Sequence, residues 1–185
     1  MRYKNPSLKK VLESWKTKKF KQIIILPLFP QYASATNGSV VELAMQEIKN
    51  WWVIPEITFV SQFFDHDLFI QSFFENGSKY NLDEYDHVLF SFHGLPERHV
   101  DKVYNNSVCS DNNCESGISD DNLFCYKASC YETAFRISEK LKLNKSNYTV
   151  CFQSRLGRGW LEPFSDVIIE SLAKEGIQEI ILISQ

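Results

Sequence analysis

Short apolar runs that alternate with segments of helical periodicity constrain the fold of this chain most strongly. The first run holds three consecutive isoleucines and is almost entirely apolar, as expected for a strand covered on both faces of a parallel sheet. The predicted strands are residues 22–28, 56–62, 86–92, 148–153 and 179–184. The predicted helices are residues 8–15, 39–48, 67–74, 126–141 and 164–174. This order predicts an α/β fold in which right-handed βαβ units build mostly parallel sheets covered by helices.

The composition is that of an ordinary globular protein. The 185 residues are 44% hydrophobic and 23% charged, and a formal net charge of -3 leaves no basic stripe for nucleic acid. No apolar run approaches the roughly 20 residues that cross a bilayer, and the first residues lack the apolar segment of a secretory signal. We therefore expect a cytoplasmic protein with no nucleic-acid partner and no transmembrane segment, whose membrane contacts, if any, are transient.

Three unusual segments begin where predicted strands end, which is the edge of a parallel sheet where ligands collect. They are residues 27–38, 93–98 and 153–160. In the second segment a buried strand ends at His93, and Gly94 permits an unusual turn. A neutral imidazole placed there can accept a proton or bind a metal. The alternative for a lone histidine is a hydrogen-bonded structural role, which is the more common one.

The other two segments have a possible binding role and a simpler structural one. Gln153 and Ser154 offer neutral hydrogen bonds, and Arg155 offers a fork that recognises carboxylates. The alternative is a loop whose arginine pairs with a nearby acid. Residues 27–38 combine prolines, aromatic rings and hydroxyls that could line an aromatic ligand, but a stiff structural turn explains them more simply.

Four of the five cysteines, Cys109, Cys114, Cys125 and Cys130, lie in one polar stretch, residues 99–130. Without a secretory signal, a metal or cluster site is expected there rather than a disulfide framework. The paired spacing of zinc ribbons is absent, but four thiolates on a flexible loop can hold a two-iron, two-sulfide (2Fe-2S) cluster. Chance clustering of surface cysteines is the alternative. Cys151 lies in an apolar strand and is expected to be a buried thiol.

Together these segments resemble the ferrochelatase family. The matching stretches occur in the family's order and at about its spacing, and they are Arg2-Tyr3, residues 26–36 with Gly38-Ser39, residues 91–98, residues 152–157, and Trp160-Leu161 with Pro163. The resemblance implies two Rossmann-like lobes with a porphyrin cleft between them. Residues 1–60 would be the latter part of the first lobe, and residues 61–185 most of the second. It also implies a fragment that lacks the family's N-terminal part and its C-terminal end. The missing end would contain the carboxylate partner of His93, so the fragment alone could be inactive.

The resemblance further implies the reaction and the residues that serve it. Fe²⁺ is the substrate metal, inserted into protoporphyrin IX or coproporphyrin III with release of two protons, and no nucleotide is required. His93 would stand at the metal and porphyrin centre, as the catalytic base or as a ligand of the incoming Fe²⁺. The implied porphyrin contacts are Arg2, Tyr3, Gln153, Ser154 and Arg155. The clustered cysteines look like the 2Fe-2S ligands of a bacterial branch of the family.

Two alternatives keep the α/β body and change the function. One is another tetrapyrrole metal chelatase, for instance for cobalt, which metal competition on one porphyrin would distinguish. The other is a non-catalytic iron-sulfur or zinc binding module that uses the α/β body as a scaffold. Such a module would bind metal without binding porphyrin.

Overall fold

The strands form two parallel sheets, as their continuous apolar character predicts. The computed structural model describes residues 4–184, and these divide into two units, residues 4–63 and 64–184. Each unit has its own sheet and its own buried core, and the α/β fold class is thereby confirmed. The identification of the two units with chelatase lobes, residues 1–60 and 61–185, stays a prediction. Arg2 and Tyr3 lie outside the described residues.

The first unit is a two-stranded parallel sheet with two helices. Its elements are α1 (Leu8–Trp15), β1 (Gln22–Ile25), α2 (Ser39–Ile48) and β2 (Glu56–Phe59). Ile23 of β1 lies opposite Ile57 of β2, and α1 contributes the fully buried Leu12 to the same core. The apolar faces of both helices therefore pack into one core shared with the strands, and this packing stabilises such short helices.

The second unit is built around a three-stranded parallel sheet in the order β4-β3-β5. Its elements are α3 (Asp67–Gly77), β3 (His87–His93), α4 (Glu97–Val100), α5 (Tyr126–Leu141), β4 (Tyr148–Gln153), α6 (Ser165–Lys174) and β5 (Ile180–Ser184). No helix among the described residues combines the length and the apolar character that crossing a bilayer requires.

The central strand β3 is covered on both of its faces. Val88, Phe90 and Phe92 point into the core that α5 covers, whereas Leu89 packs against Leu172 of α6 on the other face. All residues of β3 are buried except the last, His93, which is exposed. Burial therefore ends at the residue that the sequence singles out, and the strand delivers one imidazole to the carboxyl edge of the sheet.

The cysteine-bearing stretch, residues 99–130, differs from the flexible loop that its polarity predicts. Short helical turns occupy part of it, and its last residues already belong to α5, which begins at Tyr126. All four cysteines are buried, with exposures of 6% or less. Most of its polar side chains are not buried, while its thiols pack into the main core of the unit.

Candidate functional site

The loops that follow β3 and β4 are joined to each other by backbone hydrogen bonds. His93 and Gln153, the last residues of the two strands, are paired in the sheet. Beyond them, the amide of Gly94 donates to the carbonyl of Gln153 at 2.7 Å, and that of Leu161 donates to the carbonyl of Leu95 at 2.9 Å. Two segments that the sequence assigns separately to function therefore form one structure at the carboxyl edge of the sheet.

Gly94 is required by the close approach of these two loops. A β-carbon built on Gly94 would lie 2.8 Å from the backbone oxygen of Gln153, a distance that real β-carbons do not tolerate. The contact that excludes a side chain is the same one that fastens Gly94 to Gln153. Only glycine allows both at this position, which explains the residue that directly follows His93.

The ring of His93 is exposed, and one of its two nitrogens is already engaged. Its Nδ1 lies 2.7 Å from the carbonyl oxygen of Gly94. Because a carbonyl oxygen can only accept, Nδ1 carries the hydrogen, and in the neutral ring the free lone pair lies on Nε2. The arrangement can therefore accept a proton or ligate a metal ion through Nε2. The alternative for a lone histidine, a hydrogen-bonded structural role, shares the bond from Nδ1, and the exposure of the ring is the feature that favours a functional role.

His87, at the opposite end of β3, shows what a structural histidine looks like here. Its ring is buried, and its Nε2 lies 2.9 Å from the hydroxyl of Thr149 on β4. Burial lowers the pKa of His87, because desolvation disfavours the charged ring. The two histidines of the strand are thus clearly distinguished by their surroundings.

The residues after β4 combine an unusual backbone with an arginine that is already paired. Ser154 has a φ of +66°, a left-handed conformation that costs a residue with a side chain roughly 1–3 kcal/mol. Arg155 donates from Nη2 to Asp166 at 2.7 Å, and its guanidinium stacks on Phe164 at 4.1 Å from the ring centre. The pairing with a local acid, expected as the alternative, is therefore present, but both partners are substantially exposed.

The segment 27–38 of the first unit is held by one buried side chain. Asn37, which is fully buried, donates from Nδ2 to the carbonyls of Phe29 at 3.0 Å and Ser61 at 2.8 Å. These bonds fasten the segment to the chain that follows β2. They favour the structural turn, although Leu28 and Phe29 remain exposed apolar side chains beside it.

Three of the four clustered cysteines converge into a compact triad. The Sγ atom of Cys109 lies 3.6 Å from that of Cys114 and 3.7 Å from that of Cys125, and the remaining pair is 3.6 Å apart. These are three buried ligand atoms in a position to hold one metal ion. Cys130 is fully buried in the first turns of α5 and does not belong to this triad. The site joins three of the predicted cysteines directly, and the fourth lies beside them in the same core.

The three thiols of the triad differ in the direction in which their pKa values are shifted. Hydrogen bonding from Cys109 lowers the pKa of Cys125 to about 5. The same pairing with Cys125 raises the pKa of Cys109 above its ordinary value, and burial raises the pKa of Cys114 and of Cys130. A thiol with a lowered pKa loses its proton more readily, which favours it as a metal ligand.

Two tyrosines around the cysteines were not found by sequence reasoning. The hydroxyl of Tyr104 lies 2.9 Å from the Sγ atom of Cys114. The hydroxyl of Tyr126 donates to the carbonyl oxygen of His93 at 2.8 Å, and burial raises the pKa of both hydroxyls. The only sequence signal for either residue is that Tyr126 directly follows Cys125.

A cleft of about 590 Å³ lies between α5 and β4, away from the carboxyl edge of the sheet. Its polar lining includes Glu115, Glu132 and Glu139, and it contains none of the residues that the sequence assigns to metal or porphyrin. The cleft therefore contributes nothing to the candidate site around His93.

Comparison with known proteins finds similarity to one protein family. The family profile described as ferrochelatase matches residues 1–185. The chain is 39% identical over 187 residues to a ferrochelatase of Coxiella burnetii strain Dugway, covering 99% of the chain and 51% of that relative. It is 38% identical over 183 residues to a ferrochelatase of Legionella pneumophila strain Corby, covering 98% of the chain and 54% of that relative. The chain thus spans about half the length of the curated relatives that it matches.

Proposed function

The chain belongs to the ferrochelatase family, and on that premise we propose that it carries a metal-insertion centre, in which Fe²⁺ replaces the two pyrrole protons of a porphyrin to give haem. The observation that supports this most directly is His93. Its ring is exposed at the end of a buried strand, and the bond from Nδ1 to the carbonyl of Gly94 leaves Nε2 free to act.

The imidazole can serve the reaction in two ways, and both use Nε2. As a base, Nε2 accepts a proton that leaves a pyrrole nitrogen, and the carbonyl of Gly94 then stabilises the positive ring through its bond from Nδ1. As a ligand, the same lone pair binds Fe²⁺ before the metal enters the macrocycle, and a carbonyl that accepts from the other nitrogen orients such a ring. One Fe²⁺ enters and two protons leave in either case. As a base, His93 accepts one proton at a time and passes each to solvent, and as a ligand it leaves both protons to solvent water.

The porphyrin is proposed to be protoporphyrin IX or coproporphyrin III, and its propionates are the groups that basic residues would recognise. Arg155 has an exposed guanidinium, and its present partner is a surface carboxylate that a propionate can replace. Gln153 and Ser154 lie beside it at the end of β4 and supply neutral hydrogen bonds. Arg2 and Tyr3 are proposed as further contacts. We assign the first unit to the latter part of a first lobe and the second unit to most of a second.

The cysteine segment is proposed to hold a metal group of its own. The three sulfurs of the triad are 3.6–3.7 Å apart, close to the separation of about 3.8 Å between sulfurs arranged tetrahedrally at about 2.3 Å around one ion. A 2Fe-2S cluster takes four cysteine ligands, so it additionally requires Cys130, which follows Cys125 by five residues and is equally buried. Such a cluster supplies one-electron chemistry. No step of metal insertion is assigned to it.

The absorption spectrum of the anaerobically purified chain distinguishes the two metal groups. A 2Fe-2S cluster absorbs in the visible, and Cys130→Ser should abolish it. A single zinc ion is colourless, and the triad alone should retain it in the same variant. A chain without bound metal that also fails to take up added Zn²⁺ would contradict the metal site itself.

We further propose a cytoplasmic location without nucleotide, nucleic acid or permanent membrane partners. The support is chemical, since all five cysteines are free thiols, the state that reducing compartments maintain. The second candidate function is a non-catalytic metal module, and the triad is the observation that favours it. A cobalt-inserting chelatase is distinguished by competition of Co²⁺ with Fe²⁺ for one porphyrin.

Anaerobic metal insertion into protoporphyrin IX and coproporphyrin III tests the proposed function. Wild type should convert the porphyrin spectrum to that of the metalated product. His93→Ala should abolish this conversion while retaining quenching of tryptophan fluorescence by bound porphyrin. His99→Ala, an exposed histidine in α4, is the matched control. Insertion by His93→Ala at the wild-type rate would remove His93 from the reaction, and a wild-type chain that neither inserts metal nor binds porphyrin would refute the proposal.

A further inference from the structure

The cysteine site and the turn that carries His93 are connected by a single side chain. Tyr126 is the first residue of α5 and directly follows Cys125 of the triad. Its hydroxyl donates to the carbonyl oxygen of His93 at 2.8 Å, and it also interacts with the side chain of Cys130. The route from a triad sulfur to the backbone of His93 thus consists of one peptide bond, one side chain and one hydrogen bond.

This hydrogen bond continues through the next peptide unit. The carbonyl that accepts from Tyr126 belongs to the peptide between His93 and Gly94, and the amide of that peptide donates to Gln153 at 2.7 Å. Hydrogen bonds arranged on both sides of one peptide polarise each other. A change in the hydrogen bond from Tyr126 therefore changes the hydrogen bond that the Gly94 amide donates. The carbonyl of the same Gly94 accepts from the ring of His93.

A second connection fastens the other end of the cysteine segment to the same stretch of chain. The amide of Cys109 donates to Oδ1 of Asp101 at 2.8 Å, and Asp101 directly follows α4. Only Leu95 and Pro96 separate that short helix from the turn at His93 and Gly94. Hydrogen bonds at Cys109 and at Tyr126 thus connect the cysteines to the chain around the turn.

Metal binding must act on the helix end that carries Tyr126. Cys125 caps α5, and its carbonyl accepts from the amide of Ser129 at 3.0 Å and from the hydroxyl of Ser129 at 2.9 Å. Drawing Cys125 onto an ion at about 2.3 Å from its sulfur fixes this cap. The position of the Tyr126 hydroxyl relative to His93 is fixed with it.

From these contacts we infer that Tyr126 is a positioning residue that couples metal occupancy of the cysteine site to the geometry of the His93 turn. The inference rests on the proposed function for its meaning, since the orientation of His93 matters only if that ring serves metal insertion. The coupling itself is a property of the two sites and is measurable without porphyrin. Failure of the coupling and failure of the proposed function are therefore distinguishable.

The sequence offers a selective probe of this turn. His93-Gly94 is the only His-Gly pair in the chain, so labelling histidine at the carbonyl carbon with ¹³C and glycine with ¹⁵N gives one cross-peak in an HNCO spectrum. Its carbon frequency reports the bond from Tyr126 directly. Cd²⁺ is added to the reduced, metal-free protein, and absorption of the cadmium-thiolate bonds measures occupancy.

In wild type the cross-peak should move as the cysteines fill with Cd²⁺. In Tyr126→Phe it should stay within a linewidth at the same occupancy, because the donor to His93 is gone. Tyr80→Phe, an exposed tyrosine, should behave as wild type. An equal movement in Tyr126→Phe, or an unmoved peak in fully loaded wild type, would overturn the inference. The second outcome requires no variant, so the inference remains testable even if Tyr126→Phe fails to fold.

Direct binding of Cd²⁺ to His93 is excluded by one further variant. Cys114→Ser removes a sulfur of the triad and leaves both Tyr126 and His93 in place. The movement of the cross-peak should disappear in this variant together with the cadmium-thiolate absorption. A movement that persists without that absorption would mean that the metal acts on His93 itself, and the coupling would be refuted.

Discussion

The Nδ1 atom of His93 lies 2.7 Å from the carbonyl oxygen of Gly94, and this contact between neighbouring residues determines which nitrogen faces solvent. Gly94 also donates its amide to Gln153, so the orientation of the ring and the register of two strands depend on the same glycine. A small change at this position should therefore affect stability and function together, and the chain offers a second glycine for comparison.

Gly94→Ala should lower the free energy of unfolding by roughly 1–3 kcal/mol, the usual effect of overpacking. The added carbon would lie 2.8 Å from the backbone oxygen of Gln153, which cannot retreat without disturbing β3 and β4. Urea denaturation followed by circular dichroism measures the change. Gly157→Ala is the matched control, because nothing lies within 4 Å of its β-carbon. Equal stabilities of the two variants would contradict the argument.

Metal binding at the triad should release two protons near pH 7. Cys125 is already ionised there, since its pKa is lowered to about 5, whereas Cys109 and Cys114 are neutral because their pKa values are raised. Titration calorimetry with Zn²⁺ in buffers of different ionisation enthalpy gives the number released. As the pH falls through about 5, Cys125 becomes protonated, so the number should rise to three and the affinity should fall.

Cys130→Ser shows whether Cys130 contributes to the number of protons that are released when Zn²⁺ binds. If the triad alone binds Zn²⁺, the count remains two in the variant. If Cys130 is a fourth ligand, wild type should release three protons and the variant two, because burial raises the pKa of Cys130 as well. Release of three protons by the variant near pH 7 would mean that Cys125 is not ionised in the free protein.

Asp166→Asn should strengthen porphyrin binding, and Arg155→Gln should weaken it. The carboxylate of Asp166 accepts a hydrogen bond from the guanidinium of Arg155 at 2.7 Å. It thus competes with a porphyrin propionate for the same donor. Because exposed ion pairs contribute about 1 kcal/mol or less, the Kd of Asp166→Asn should fall by at most about fivefold. Quenching of tryptophan fluorescence by porphyrin measures it.

Glu170→Gln is the control for this comparison, because Glu170 forms an exposed ion pair with Lys174 on the same helix. It should leave porphyrin affinity unchanged. Affinity that is also unchanged in both Asp166→Asn and Arg155→Gln would exclude Arg155 from porphyrin recognition, leaving its stacking on Phe164 as a purely structural contact.

Asp86 should make the second unit sensitive to acid. Its Oδ2 accepts from the amides of Gln178 at 2.9 Å and Glu179 at 3.0 Å, which lowers the pKa of Asp86. A carboxyl group with a lowered pKa stabilises the fold above its unfolded pKa of about 3.9 and loses this effect as pH falls through the folded value. Wild type should therefore lose more stability than Asp86→Asn as the pH falls below about 3.9.

Urea denaturation at several pH values measures this difference, with Asp83→Asn in the preceding exposed turn as the control. The control should follow wild type throughout. Parallel pH profiles for wild type and Asp86→Asn would show that the two backbone contacts do not influence stability.

The sequence predicts the order of the strands and helices because a strand that is buried on both faces of a parallel sheet is a continuous run of apolar residues. It overestimates β1, predicted as residues 22–28 but ending at Ile25, since the apolar run continues past the paired residues to a proline without a backbone donor. It also underestimates α3, which continues to Gly77, because the last turn of that helix carries polar residues.

The position of His93 could be predicted because a strand and its end are local features of the sequence. The bond between Tyr126 and His93 could not, because it joins residues 33 positions apart and leaves no periodic pattern. The burial of the cysteines was missed for a related reason. A polar stretch is expected to be exposed, and only the folded chain reveals that its four thiols all lie in the core.

The hydrogen bonds that join the two loops at the carboxyl edge affect how the site opens. The donor amides of Gly94, Glu97 and Leu161 lie outside the strands, yet they should exchange with deuterium as slowly as amides of the sheet, because all three are held by partners across the loops. Ordinary connecting loops fluctuate on their own. Here the loops around the imidazole should unfold only together with the sheet. The site and the sheet therefore form one cooperative unfolding unit.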